Sequence, residues 1–119
     1  MQRFMMKSKI HRATVTDADL HYEGSVSIDE NLMDAANMVP YEQVEIYDIN
    51  NGERFSTYII KAKRNSGTIC LNGAAARKVA RGDLVILATY VAVEDEESKN
   101  WKPINILVDS KNKIKKSSK

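Results

Sequence analysis

A serine directly follows a glycine near the start of the chain, at Gly24 and Ser25, and this pair could rearrange its own backbone. Glycine has no Cβ, so Gly24 allows strained backbone angles and a close approach to its carbonyl group. The Ser25 hydroxyl could attack that carbonyl and shift the chain from an amide to an ester. Elimination across Ser25 would then cut the chain and leave a ketone at the new N-terminus. The alternative is an ordinary turn, because Gly-Ser pairs are common in turns.

Five short segments form a set that is far more specific than the Gly-Ser pair alone. In chain order they read K-I-H-R-A at 9–13, A-D-L at 18–20, H-Y-E-G-S at 21–25, R-F-S-T-Y at 54–58 and N-G-A-A-A at 72–76. With these segments the chain resembles the pyruvoyl-dependent aspartate alpha-decarboxylases, from about Met1 to Trp101 and without evident gaps. The resemblance implies decarboxylation of L-aspartate to β-alanine and carbon dioxide, which supplies β-alanine for pantothenate biosynthesis.

Decarboxylation of an amino acid leaves a carbanion at Cα, and a cofactor must accept its electrons. Pyridoxal phosphate would need a Schiff-base lysine and a phosphate site, and the sequence has no glycine-rich phosphate loop. The resemblance implies instead a pyruvoyl group made from Ser25, whose ketone forms a Schiff base with the substrate amine. Self-cleavage between Gly24 and Ser25 would give chains 1–24 and 25–119. Neither pyridoxal phosphate nor a metal is expected.

The resemblance gives Thr57 and Tyr58 separate roles. Attack by Ser25 builds negative charge on the carbonyl oxygen of Gly24, and a hydroxyl donor would stabilise that charge as an oxyanion hole does. By resemblance this donor is Thr57. Tyr58 is the implied proton donor to the carbanion after carbon dioxide leaves. By residue type alone, a buried strand tyrosine with a satisfied hydroxyl is the favoured interpretation of Tyr58.

Substrate binding is assigned by the same resemblance to two cations and a segment of small residues. Aspartate carries two carboxylates, and a guanidinium can bind a carboxylate through two parallel hydrogen bonds. Arg54 could otherwise be a solvated charge at a strand end. His11 and Tyr22 fall near the site by resemblance, although His11 could equally be a partly buried strand histidine, and His21 is interpreted as structural. The implied substrate-binding residues are Lys9, Arg54, Thr57, Asn72, Gly73, Ala74 and Ala75. The resemblance also places Asn72 beside the pyruvoyl group.

Composition narrows the function classes. Of the 119 residues 43% are hydrophobic, enough for the core of one domain, and the net charge of +2 is too small to indicate nucleic-acid binding. Cys70 is the single cysteine, so no intramolecular disulfide is possible. No signal peptide and no apolar stretch of membrane-spanning length is found, and we expect a cytoplasmic protein without a membrane partner.

The hydrophobic pattern predicts short strands with one clear helix. The helix should begin at Ser27 or Asp29 and end before Pro40, because the residue before proline avoids helical angles. Alternation within 54–62 places Arg54 and Tyr58 on one face and Thr57 on the other. Strands are predicted over 4–10, 22–28, 44–49, 54–62, 68–71, 84–93 and 104–108, with a hairpin turn at Asn51-Gly52, further turns at 65–67 and 81–83, and one helical turn within 94–100.

Many short strands with spaced turns predict a small closed barrel. The resemblance makes this barrel a mainly β, six-stranded double-psi β-barrel with short helices, assembled as a homotetramer. We expect one domain over 1–119, with 110–119 as a flexible basic tail.

Two alternatives to a self-cleaving decarboxylase follow from the same residues. One is a non-enzymatic small barrel that binds a partner or nucleic acid through the basic end of the chain. The other accepts the family but leaves Ser25 unprocessed. Within the family interpretation, cleavage is either spontaneous or assisted by a maturation factor.

Overall fold

The computed structural model describes residues 1–21 and 24–118, and strands dominate this part of the chain. The mainly β class predicted from the sequence is therefore confirmed. In chain order the elements are β1 Gln2–Thr14, β2 Asp17–Asp19, β3 Ser25–Asp29, α1 Glu30–Ala36, β4 Gln43–Asp48, β5 Arg54–Ala62, β6 Ile69–Asn72, a 3₁₀ helix Gly73–Arg77, β7 Leu84–Glu94, α2 Asp95–Ser98, β8 Ile104–Val108 and β9 Ile114–Ser117.

The described strands form one sheet in the order β2-β6-β3-β5-β4-β7-β1-β8-β9. Only Val15 and Thr16 separate β1 from β2, yet β2 lies at the far end of the strand order, parallel to β6. The Val15 N–H donates to the Asp83 carbonyl at 2.9 Å, and the Thr16 N–H donates to the Ile69 carbonyl at 2.8 Å. One chain segment thus joins distant strands of the sheet. The sheet must curve to allow this, which is consistent with a β-barrel.

An aliphatic core lies on the inner face of the curved sheet. Strand β4 illustrates the alternation, because Val44 and Ile46 are fully buried whereas Glu45 and Tyr47 are half-buried on the opposite face. Full burial of one such aliphatic side chain contributes about 1.5–3 kcal/mol. The largest fully buried side chains are Ile10, Ile28, Leu32, Ile46, Ile59, Ile69, Leu71, Leu87, Ile106, Val15, Val26 and Val44.

Side-chain and backbone caps set both ends of α1. The Asp29 carboxylate accepts a hydrogen bond from the Asn31 N–H at 2.8 Å, which confirms Asp29 as the N-cap. Asn37 adopts the left-handed conformation, with φ 53° and ψ 46°, and its N–H donates to the Asp34 carbonyl. The helix therefore ends at an asparagine cap three residues before Pro40, and the proline is not what ends it.

The predicted hairpin and the predicted long central strand are confirmed. β4 and β5 pair antiparallel across the turn at Asn51-Gly52, where Gly52 has φ 78°. β7 lies between β4 and β1 in the middle of the sheet. The strand expected to start at Tyr22 begins at Ser25 within the described residues, and Tyr22 itself lies outside them.

Two strands occur where the sequence predicted none, β2 and β9. β9 pairs antiparallel with β8, so Ile114–Ser117, within the segment 110–119 that was expected to be a flexible tail, forms a strand. The turn before β9 depends on Asn112, whose side-chain amide donates to the Thr14 and Gly67 carbonyls at 2.8 Å each. This segment is mostly basic and lacks the alternation of apolar and polar residues that predicts a strand, so no signal in the sequence indicated β9. No helix in the described ranges is both long and apolar enough to cross a membrane.

Candidate active site

Ser25 begins β3 and is almost completely buried, with 1% of its surface exposed. β3 pairs antiparallel with β6, and this register places Ser25 opposite Asn72. The Asn72 amide donates to the Ser25 hydroxyl oxygen at 2.9 Å and to the Ser27 hydroxyl oxygen at 3.0 Å. Two of the residues predicted for the site are therefore in direct contact, although 47 positions separate them in the sequence.

The other end of the Asn72 amide is held as well. Its Oδ1 accepts a hydrogen bond from the Cys70 Sγ at 3.2 Å. Because both ends of the amide are engaged, Asn72 makes no side-chain cap for the 3₁₀ helix that begins at Gly73. Burial, followed by the negative charges of Asp17 and Asp19, raises the pKa of the Cys70 thiol, so the sulfur remains a neutral donor.

A pocket of about 230 Å³ opens beside the Gly24–Ser25 bond. It brings together Gly24, Thr57, Ala74 and Ala75, which the sequence analysis assigned to cleavage or substrate binding. The small alanine side chains leave room for a ligand of a few atoms. Among the described residues, the lining consists of Gly24, Phe55, Ser56, Thr57, Ala74, Ala75 and Lys78.

The expected strain at Gly24 is not found. Its φ lies outside the left-handed region, and a Cβ added to it would meet no atom within 4 Å. The requirement for glycine falls instead on Gly73, where φ is 61° at the start of the 3₁₀ helix. Gly24 therefore shows no left-handed strain, and there is open space where a side chain would project from it.

Arg54, Tyr58 and Lys9 lie on what we call the outer face, the side of the sheet away from the aliphatic core. Residues directly opposite each other in antiparallel strands share a face. Arg54 is opposite Tyr47, Tyr58 is opposite Gln43, and Lys9 is opposite Ala88, which in turn is opposite Glu45. None of these three predicted site residues lines the pocket beside Gly24 in the described part of one chain. The Tyr58 ring instead stacks on Tyr41, with ring centroids 6.3 Å apart.

Aromatic contacts organise the outer face around Arg54. The Arg54 guanidinium carbon lies 4.1 Å from the centroid of the Tyr47 ring, in a cation–π contact. The hydroxyl groups of Tyr47 and Tyr90 are hydrogen-bonded at 2.9 Å. Sequence reasoning did not identify Tyr90, because no local pattern relates it to Arg54.

His11 lies with Lys9 in a second pocket, of about 300 Å³, and also lines a third, of about 380 Å³. Burial and the neighbouring charges of Lys9 and Arg12 lower the pKa of His11. Its Nδ1 is buried and has no hydrogen-bond partner within the described ranges. His11 and Lys9, both predicted for the site, thus line one pocket together.

The site residues thus fall into two groups. Ser25, Gly24, Thr57 and the 72–75 segment gather on the β3–β6 side, whereas Arg54, Tyr58, Lys9 and His11 lie on the outer face. Tyr22 lies outside the described residues. Lys78 was missed, and the only signal for it in the sequence is its position shortly after the N-G-A-A-A segment. Of the described residues, no group of three or more His, Cys, Asp and Glu is arranged to hold a metal ion.

Comparison with known proteins identifies the family. The family model for aspartate decarboxylase matches residues 1–115. The chain belongs to the aspartate decarboxylase family, which confirms the family predicted from the five sequence segments.

Curated relatives match over nearly the whole chain. The aspartate 1-decarboxylase of Syntrophus aciditrophicus (strain SB) is 72% identical over 115 residues, covering 97% of this chain and 99% of the relative. The aspartate 1-decarboxylase of Thermoanaerobacter pseudethanolicus is 59% identical over 95% of this chain and 97% of its own length. That of Bordetella avium (strain 197N) is 57% identical over 100% of this chain and 98% of its own length.

Proposed function

We propose that this chain is an aspartate 1-decarboxylase, a carbon–carbon lyase that converts L-aspartate to β-alanine and carbon dioxide. The relatives carry that name over nearly their full length. The observation that carries the proposal is the placement of Ser25, buried and hydrogen-bonded to Asn72, beside a pocket that also contains Thr57. This arrangement suits a backbone rearrangement at Gly24–Ser25 better than an ordinary exposed turn.

The residues present fit a pyruvoyl group derived from Ser25. The Ser25 position is shielded from water, and the Asn72 amide supplies an N–H donor to the atom that this group would carry there. Once formed, the pyruvoyl ketone supplies the electron sink for the carbanion at Cα. The alanines of the adjacent pocket leave space for a small amino acid.

Maturation begins when Ser25 Oγ attacks the carbonyl carbon of Gly24 and the C–N bond breaks, so that an ester replaces the amide. β-Elimination then releases the Gly24 carboxylate and leaves dehydroalanine at position 25. Addition of water releases ammonia and leaves the ketone, so atoms balance without an oxidant. We assign to the Thr57 hydroxyl the hydrogen bond that stabilises the oxyanion on Gly24 during the first step.

Substrate recognition is assigned to the outer face of a neighbouring subunit. Arg54 and Lys9 supply two cations for the two carboxylates of aspartate, and the Tyr58 hydroxyl returns a proton to Cα. The proposal that two chains share a site is supported by the position of these three residues away from the pocket in one chain. In a homotetramer with closed symmetry, every chain can share a site with a neighbouring chain, and all the sites are identical.

We also propose that the sheet closes as a six-stranded double-psi β-barrel. β1 and β2 are nearly continuous in the chain, so they can be counted together as one strand of the barrel. The barrel then has six strands, in the order β1 with β2, β6, β3, β5, β4 and β7, after which it returns to β1. Within this ring, the parallel pairings of β3 with β5 and of β2 with β6 require crossover connections, as interlocked psi loops do. We further propose that the enzyme acts in the cytoplasm and supplies β-alanine for pantothenate biosynthesis. Its cleavage is either spontaneous or assisted by a maturation factor.

Turnover of labelled aspartate tests the function. The purified, matured protein should release carbon dioxide from L-aspartate and form an equal amount of β-alanine. The Ser25→Ala variant should fold and should form neither product. A fully cleaved wild-type protein that leaves aspartate unchanged would overturn the proposal.

A further inference from the structure

Within the described part of the chain, Arg54 is positioned by an aromatic ring and forms no ion pair. Its guanidinium stacks on Tyr47 at 4.1 Å, and among the described residues no acceptor group takes a hydrogen bond from it. Glu45 lies two positions before Tyr47, on the same face of β4. Its two carboxylate oxygens lie 2.7 and 2.6 Å from the Ser56 hydroxyl, which donates a hydrogen bond to them. The guanidinium therefore has a fixed plane and unused N–H donors, which is the state required to bind a carboxylate in a bidentate manner.

The Tyr47 ring is itself held at its hydroxyl end. Tyr47 lies on β4 and Tyr90 on the neighbouring β7, and their hydroxyl oxygens are 2.9 Å apart. Tyr90 is 45% exposed, so it can be changed without opening a cavity in the core. The hydrogen bond with Tyr47, together with burial, raises the pKa of Tyr90 to about 12. The Tyr90 hydroxyl therefore stays protonated at neutral pH and can keep its hydrogen bond with the Tyr47 hydroxyl there.

We propose that Tyr90 is a positioning residue for substrate binding, which acts on Arg54 by fixing the Tyr47 ring through the bond between the two hydroxyls. This inference rests on the proposed role of Arg54 as a ligand of a substrate carboxylate. Without the Tyr90 hydroxyl, the Tyr47 ring loses one of its two anchors. The Arg54 side chain then samples more rotamers in the free enzyme. Ordering it when substrate binds costs conformational entropy, and this weakens the affinity for substrate.

A pair of conservative variants tests this chain of contacts from Tyr90 through Tyr47 to Arg54, which we call the relay. Tyr90→Phe and Tyr47→Phe each remove one hydroxyl and keep the ring, so the cation–π contact itself remains possible. Each should raise KM for aspartate about fivefold, the effect of one hydrogen bond of ordinary strength, with kcat nearly unchanged. Ser98→Ala, which removes a hydroxyl bonded to the Asp95 carbonyl in α2, is the matched control and should leave KM unchanged.

The double variant separates a relay from two unrelated effects. If the hydroxyls act as one pair, Tyr47→Phe with Tyr90→Phe should also raise KM about fivefold, whereas independent residues would give about twenty-fivefold. The inference would be overturned if KM of the double variant rose about twenty-fivefold. It would also be overturned if either single variant kept the wild-type KM, or if only kcat fell.

A readout that does not depend on turnover distinguishes this inference from the proposed function. In the wild type, the Tyr47 ring current should shift the NMR signal of the Arg54 Nε–H, and Tyr90→Phe should reduce that shift. If the wild type does not decarboxylate aspartate but the shift depends on Tyr90, the proposed function fails and the positioning of Arg54 stands. An unchanged shift in Tyr90→Phe would refute the positioning whatever the activity.

Discussion

Thr57 and Tyr58 are adjacent in β5 and face opposite sides of the sheet. Thr57 lines the pocket beside Gly24, whereas the Tyr58 ring stacks on Tyr41 on the outer face. One strand therefore presents the hydroxyl proposed for maturation to its own chain and the hydroxyl proposed for catalysis to the outside. The two roles should be separable by mutation.

Thr57→Val should slow self-cleavage by about a hundredfold, because it removes the donor to the oxyanion on Gly24 while keeping the shape of the side chain. The fraction of uncleaved chain, followed over time by intact mass, measures this effect. Thr57→Ser keeps the hydroxyl and should mature close to the wild-type rate. Cleavage of Thr57→Val at the wild-type rate would remove Thr57 from the mechanism.

Tyr58→Phe should mature normally but lose decarboxylation, because the maturation steps use Ser25 and Thr57, whereas the Tyr58 hydroxyl is proposed to act on the substrate carbanion. Ser25→Ala keeps Tyr58 but cannot form the ketone, so each variant alone should be inactive. Co-expressed in equal amounts, the two should regain about a quarter of the wild-type activity, since a quarter of the shared sites combine an intact Ser25 with a neighbour's Tyr58. Mixed assemblies without activity would show that each site uses residues of one chain only.

Asp48→Asn should stabilise the protein at neutral pH by about 1 kcal/mol. Burial and the neighbouring Asp83 carboxyl raise the pKa of Asp48 above its ordinary value. Because the folded-state pKa is raised, the protonated form favours folding, and this stability is lost as pH rises from the unfolded pKa of 3.8 through the folded one. Asparagine keeps an oxygen for the N–H groups of Asn50 and Asn51 and carries no charge.

Urea unfolding at pH 4 and pH 7, at one protein concentration, measures the change at Asp48. The gain from Asp48→Asn should be larger at pH 7 than at pH 4. Asp109 provides a control of opposite sign, because backbone N–H groups of Lys113 and Lys111 lower its pKa, so its stabilising effect is present at neutral pH and lost in acid. Asp109→Asn should therefore destabilise at pH 7, and an equal response of both variants would contradict this account.

The faces of β5 were predictable from the sequence, because strand alternation has a period of two and the run from Arg54 to Ala62 has clear turn signals before and after it. The family was predictable from five segments with specific order. The proximity of Ser25 and Asn72 was implied only by the family resemblance, since it depends on the antiparallel register of β3 and β6 and not on any local pattern.

The division of the site between two faces was predictable only within β5, where alternation separates Tyr58 from Thr57. The resemblance named Lys9 as a site residue, but only the strand pairings show that it shares a face with Tyr58, away from the pocket beside Gly24. β9 was missed for a similar reason, because its turn depends on Asn112, whose amide contacts two distant carbonyl groups.

The intact mass of the denatured, purified protein tests the central claim most directly. Self-cleavage at Gly24–Ser25 predicts two masses, one for residues 1–24 and one for residues 25–119 with a pyruvoyl group at the new N-terminus. The Ser25→Ala variant should give one mass for residues 1–119. A single uncleaved mass for the wild type, unchanged after prolonged incubation and after exposure to a cell extract containing any maturation factor, would contradict the account.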